Sequence, residues 1–173
     1  MGSGKSTLGP ILANTLGYDF VDVDRIIEQR SGKSIAEVFQ EKGEKGFRQI
    51  ERDALLKVVR MRDAVVSLGG GAIASEENFQ LLHEHGTIVY LRMSPEEATR
   101  RMRHKANRPL LRSADGAMLD EASLREKITD LMKQREQFYS RADVIIETEH
   151  QRIGTTVDDL VKLLRAKITR RPL

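Results

Sequence analysis

Residues 2–7 read Gly-Ser-Gly-Lys-Ser-Thr, and no other stretch of the 173 residues restricts the fold so much. The spacing of Gly4, Lys5 and Ser6 is that of the back half of the pattern GxxxxGK[ST]. Such a loop joins a buried strand to a helix, so that backbone N–H groups and the helix N-terminus meet phosphate oxygens. The lysine then reaches the β/γ-phosphates and the hydroxyl residue ligates Mg²⁺. Gly2, Ser3, Gly4, Lys5, Ser6 and Thr7 are therefore the candidate nucleotide-binding residues. The first Gly of the pattern falls two positions ahead of Met1, and so does the strand, which needs about 5–6 residues. We expect a native chain that carries both ahead of Met1, and poor stability with weakened nucleotide binding in a chain that starts there.

The rest of the sequence alternates in period. Residues 7–16 read as a helix with Leu8, Ile11, Leu12 and Leu16 on one stripe and Gly17 as its stop. Residues 18–23 alternate as a strand, and a helix begins at Asp24. Helices are expected over 34–39 and 47–59, divided by a glycine-containing turn at 43–46. Residues 64–68 form an apolar strand that runs into Gly69-Gly70-Gly71, followed by a helix over 76–85 and a strand over 87–91. Ser94-Pro95-Glu96-Glu97 opens a helix running to His104, with cap, proline and acids in the favoured order. Residues 105–119 lose periodicity and are the expected lid. A helix over 121–139, a strand over 142–147 and a helix over 155–168 complete the chain. Strands alternating with helices predict one α/β domain over 1–173, a central parallel sheet with helices on both faces.

Composition narrows the partners. Lys plus Arg number 29 against 26 Asp plus Glu, a mixed surface that suits anionic small ligands and does not single out nucleic acid. Cysteine is absent, which removes thiol catalysis and thiolate zinc sites. No apolar run approaches the ~20 residues of a membrane span. A cytoplasmic, membrane-free protein is the expectation. His83, His85, His104 and His150 have no metal-ligand spacing, and Met61, Met93 and Met132 are read as packing.

A GTPase would need a guanine-reading loop such as NKxD, which the sequence lacks, so a small-molecule kinase is the remaining reading. Phosphoryl transfer needs Mg²⁺ held by a hydroxyl and a carboxylate, cations on the phosphates, and a positioned acceptor hydroxyl. Asp22 and Asp24 fall at the carboxyl end of a strand, where α/β sheets bind ligands; their other reading is two helix N-terminal acids. Arg48 stands in a glycine-flanked turn where a guanidinium can grip a carboxylate, or is a surface arginine. The three glycines at 69–71 let backbone approach a ligand, or make a permissive turn. Arg108 lies at the root of the expected lid, and Arg135 alone reads as an ordinary charge on a helix face.

Taken in order, GSGKST, FVDVD at 20–24, GFR at 46–48, SLGGGA at 67–72, TIVYL at 87–91, NRPLL at 107–111 and MKQRxxxY ending at Tyr139 resemble the shikimate kinase family over nearly the whole chain. The resemblance implies a three-layer P-loop kinase fold and transfer of the γ-phosphoryl group of ATP to the 3-hydroxyl of shikimate, on the route to aromatic amino acids. It implies Lys5 and Arg108 on the phosphates, Arg101 against adenine, Ser6 and Asp22 toward Mg²⁺, and Asp24 as shikimate ligand and candidate base. Arg48 and Arg135 would clamp the substrate carboxylate beside the backbone at Gly69, Gly70 and Gly71. It further implies a monomer whose partners are ATP and shikimate, with the absent first strand in the middle of the sheet. The segment between Arg108 and Arg135 is longer than the family's compact lid, and no proline stands at 152–154 to complete the adenine pocket. A gluconate-kinase-like enzyme, which has no need of the Arg48 and Arg135 clamp, and a noncatalytic nucleotide-binding homologue are the competing readings.

Overall fold

The computed structural model describes residues 2–103, 119–149 and 151–168. The expected lid, with Arg108 and the 107–111 motif, lies outside the described residues, as do His104 and His150. Helix α1 (Lys5–Leu16) follows the glycine loop directly. It is followed by β1 (Asp19–Asp22), α2 (Val23–Ser31), α3 (Ile35–Val58), β2 (Ala64–Ser67) and α4 (Glu76–His85). The second half contains β3 (Val89–Arg92), α5 (Pro95–Met102), α6 (Glu121–Tyr139), β4 (Val144–Glu147) and α7 (Ile153–Ile168).

Each parallel pair is built by a helical crossover. β1 pairs with β2 in the register Asp19 with Ala64 through Asp22 with Ser67, and α2 and α3 make the connection. β3 pairs with β4 from Val89 with Val144 through Arg92 with Glu147, across α5 and α6. Apolar stripes cover these ribbons. Leu8 and Leu12 of α1 pack with Val144, Ile146 and the buried Val157, Leu160 and Leu164 of α7. Val23, Ile27, Val38, Phe47, Leu55 and Val58 make a second core between α2 and α3. Met93, Ala98, Met102, Leu124 and Ile128 join α5 to α6. The result is the three-layer α/β arrangement, with helices covering parallel strands.

Two expectations change, the extent of the turn before Arg48 and the packing of Met61. The helices expected over 34–39 and 47–59 are both present within α3, parted by a kink at Gly43 alone, where φ 65° and ψ −177° leave helical geometry. Gly46 does not form a turn, so Arg48 lies inside the helical segment that follows the break. Met61 is 45% exposed and packs no core, whereas Met93 is buried and Met132 packs against the α5/α6 cluster.

The sheet is divided at its middle, in keeping with what the resemblance implied. Among the described residues the strands form two separate two-stranded ribbons, β1-β2 and β3-β4. An apolar cavity of about 380 Å³ reaches from one ribbon to the other, with Leu8, Leu12, Val65, Val66, Val89 and Leu91 in its walls. Parallel strands are ordinarily buried on both faces. Here Val65, Val66, Val89 and Leu91 stay half-buried. The lining suits a further strand: β-branched and leucine side chains stand at its sides, and the glycine-loop residues Ser3 and Lys5 are part of it.

Appending about six alternating β-branched residues and a glycine ahead of Met1 is expected to raise the melting temperature. A net gain of about 3 kcal/mol corresponds to about 6–12 °C for a chain of this size. An unchanged melt, read by circular dichroism, would show that the cavity does not accept a strand.

Candidate active site

Five consecutive helices have their first turns closed by a side chain. Asp22, Ser34, Ser75, Ser94 and Asp120 cap α2 to α6 in order, each accepting from backbone N–H groups. Helix α1 differs. Its cap is Gly4, in the left-handed region at φ 87°, with no side-chain hydrogen bond and no acid in the first turn. An open N-terminus of this kind presents unsatisfied N–H groups and the positive end of the helix dipole. Gly2 is also left-handed, at φ 69°. Ser3 is buried, and Lys5 Nζ donates to Ser3 Oγ at 3.4 Å, which folds the ammonium back over the loop. Ser6 and Thr7 are exposed beside it. Arg101 is fixed at the same end: its guanidinium donates to Glu97 at 2.5 Å, to Gly2 O at 3.3 Å and to Thr148 O at 3.1 Å.

The two aspartates part company at the end of β1. Asp22 closes α2: its Oδ1 accepts from Asp24 N at 3.0 Å and Arg25 N at 3.4 Å. The strand stops at Asp22, so Asp24 lies beyond it. Asp24 is instead in the first turn of α2, and its carboxylate reaches the glycine turn after β2. A Cβ built on Gly69 would lie 3.0 Å from Asp24 Oδ1 and 3.4 Å from Glu51 Oε1. One built on Gly71 would lie 2.6 Å from both terminal nitrogens of Arg48. Gly69 and Gly71 are thus spaces into which the protein's own charged side chains fit, a role more specific than the backbone approach to a ligand expected from sequence.

Glu51 was missed by the sequence reading, although its place three residues after Arg48 on an expected helix predicts a pair. The residue is 1% exposed. Arg48 Nη1 donates to it at 2.7 Å, while Arg48 Nη2 donates to Glu44 at 3.1 Å. Burial pushes the Glu51 carboxyl above the usual range, opposed by the Arg48 hydrogen bond and aided by the Asp24 charge. Arg48 also lies over the Phe47 ring at 5.5 Å. Arg135, on α6, is buried, and it shares with Arg48 a cavity of about 610 Å³ whose walls include Arg52, Gly71, Asn78 and Phe138. That volume suits a small polar ligand.

The turn itself is tied on three sides. Ala72 N donates to Gly69 O at 3.0 Å and Ala74 N to Gly71 O at 3.0 Å. Asn78 Nδ2 donates to Ala72 O at 2.8 Å, and Tyr139 Oη to Gly70 O at 2.6 Å. Gly69 and Gly70 line the same cavity as Ser3 and Lys5, whereas Gly71 lines that of Arg48 and Arg135. The turn therefore stands between an anion-binding loop and a cationic cleft. Among the described residues no three His, Cys, Asp or Glu side chains gather as a metal cage. His83 faces Asp143 at 3.5 Å. No helix among the described residues is long and apolar enough to cross a membrane.

The fold and the paired ligand sites define a P-loop small-molecule kinase. The family profile described as Shikimate kinase matches residues 1–165. The shikimate kinase of Chlorobaculum tepidum is 44% identical over 98% of this chain and 88% of its own length. That of Chlorobium phaeobacteroides is 46% identical over 93% of this chain and 85% of its own length. Among solved structures, the shikimate kinase from Acinetobacter baumannii in complex with shikimate superposes with a TM-score of 0.86 at 33% identity, covering 96% of this chain and 89% of that one. A gluconokinase from Sinorhizobium meliloti, at 20% identity and a TM-score of 0.56, shares the fold alone. The chain belongs to the shikimate kinase family, ATP-dependent phosphotransferases with an alcohol acceptor.

Replacing Glu51 by Gln keeps the shape and removes the buried charge behind Arg48. Its raised carboxyl pKa means that ionised Glu51 costs stability at neutral pH, so the melting temperature of Glu51→Gln is expected to hold or rise at pH 7. Loss of the charge-assisted bond is expected to raise KM for the acceptor by about tenfold. Steady-state kinetics beside a thermal melt checks both; an unchanged KM would remove Glu51 from the site.

Proposed function

We propose that the γ-phosphoryl group of ATP passes to the 3-hydroxyl of shikimate across the 69–71 turn, in a single cytoplasmic, monomeric domain. The observation that carries the reading is the convergence of Asp24, Arg48 and Glu51 on two glycines where an added Cβ would crowd their charged ends, with Arg135 in the adjoining cleft. Shikimate pairs one carboxylate with several hydroxyls. Two guanidiniums suit the first, and a carboxylate beside a backbone turn suits the second.

On the nucleotide side, the uncapped N-terminus of α1 takes the phosphates, with Lys5 turning from Ser3 to the β/γ oxygens. Arg101 flanks the nucleotide where it is pinned between Gly2 and Thr148, and the resemblance assigns Arg108 to the phosphates. Ser6 and Asp22 offer one hydroxyl and one carboxylate, hard oxygen donors of the kind Mg²⁺ prefers when phosphates and waters supply the remaining positions. The cation, when bound, neutralises charge on the β- and γ-oxygens. Asp22 already caps α2 through Oδ1, so a role toward the cation falls to its second oxygen and its water shell.

On the acceptor side, Arg48 and Arg135 hold the carboxylate and so fix which hydroxyl faces the phosphates. Asp24 orients that hydroxyl and takes its proton as the new P–O bond forms and the bond to ADP breaks. In a loose transition state the proton leaves late, and orientation supplies most of the rate. Glu51 keeps the Arg48 guanidinium from swinging toward solvent, which pre-organises the clamp.

Turnover of shikimate is expected to need both ATP and Mg²⁺ and to stop with excess EDTA. Equal turnover of gluconate with none of shikimate would overturn the assignment. Asp24→Asn is expected to bind ATP normally and to lose about 10²-fold or more in kcat. Arg48→Ala is expected to weaken shikimate binding chiefly; a selective loss of ATP affinity would place Arg48 in the other site.

A further inference from the structure

We infer that Tyr139 is a positioning residue for the acceptor, locking the 69–71 turn to the helix that carries Arg135. The inference rests on the functional reading above and adds a residue that neither the phosphates nor the acceptor touches. Tyr139 follows Arg135 by one helical turn, so both side chains leave α6 on the same face. Its hydroxyl donates to Gly70 O at 2.6 Å, and its hydroxyl oxygen accepts from the Arg135 side chain. The ring is held from below by Tyr90 of β3, with centroids 4.7 Å apart. Burial pushes the Tyr139 phenol up, so it stays protonated and a donor through neutral pH.

The consequence for the acceptor follows from peptide geometry. The carbonyl of Gly70 and the N–H of Gly71 belong to one planar unit and point to opposite sides. Holding Gly70 O from the Tyr139 side therefore sets the direction of Gly71 N–H, and Gly71 lines the cleft of Arg48 and Arg135. Glycine peptides rotate more freely than others, so three in a row need an external tether to present one conformation. Asn78 supplies the tether at the other end: it donates to Ala72 O at 2.8 Å and is itself held by Arg52 Nη1 at 2.7 Å. Arg52 adjoins Glu51 on α3. Backbone and guanidinium contacts to the acceptor are thus referenced to one frame, and Tyr139 is the part of it that joins α6 to the turn.

The test is Tyr139→Phe, which keeps the ring against Tyr90 and removes only the hydroxyl. Losing the hydroxyl's bonds to Gly70 O and Arg135 corresponds to about a three- to tenfold rise in KM for shikimate, with KM for ATP and the melting temperature unchanged. In an Arg135→Ala background the same substitution is expected to have a smaller effect, because the frame no longer aligns two contacts. An unchanged KM for shikimate in Tyr139→Phe overturns the inference. So does an equal rise in both KM values with a lowered melt, which would mark the hydroxyl as general scaffolding. Multiplicative losses in the double variant overturn the coupling to Arg135. Absence of shikimate turnover in the unmodified protein would instead overturn the functional reading itself.

Discussion

The cleft at the 69–71 turn depends on charged groups packed where side chains on its glycines would otherwise be. Asp24 and Glu51 bring two negative charges against Gly69, and Arg48 lies across Gly71. Like charges at such range need a cation beside them, and Arg48 provides it from the more exposed side through its bond to the buried Glu51. The arrangement is self-consistent. Glycine at 69 and 71 makes room, α2 and α3 deliver the acids, and the arginine balances them while leaving an edge toward the cleft. A methyl group at either glycine would push apart the charges whose spacing defines the site.

Much of this was legible in the sequence, for local reasons. The helices over 76–85 and 121–139 begin and end as the pattern indicates, because Ser75 and Asp120 cap them and their apolar stripes meet buried partners. Strand starts were read too early wherever the first backbone groups bond elsewhere. Tyr18 N turns back to Ala13 O, and Ile88 N bonds the Asp143 carboxylate, so neither amide donates into a ladder. At the other end of β1, capping by Asp22 converts Val23 from strand to helix.

The site was legible in its parts and less so in its wiring. The loop spacing pointed to Lys5 and Ser6, and a shared family pattern pointed to Arg48 and Arg135. Glu51 looked like one more acid on a charged helix, since periodicity says which face a residue takes and nothing about what lies above that face. Tyr139 appeared only as the end of a motif. Its partner is a carbonyl 69 positions away, and no one-dimensional pattern encodes such a bond. Likewise, a glycine triplet announces close approach without saying of what.

The open end of α1 has a thermodynamic meaning beyond catalysis. Every helix from α2 to α6 completes its first turn with an oxygen from its own sequence, whereas α1 leaves that task to a ligand. A phosphate bound there is a removable cap, and the free energy of nucleotide binding is shared with the folding of a helix that packs on β1, β2 and α7. By mass action, each tenfold excess of nucleotide over its dissociation constant adds about 1.4 kcal/mol to the folded state. The chain is in this sense a gauge of its own co-substrate, firm when the nucleotide is plentiful and looser when it is scarce.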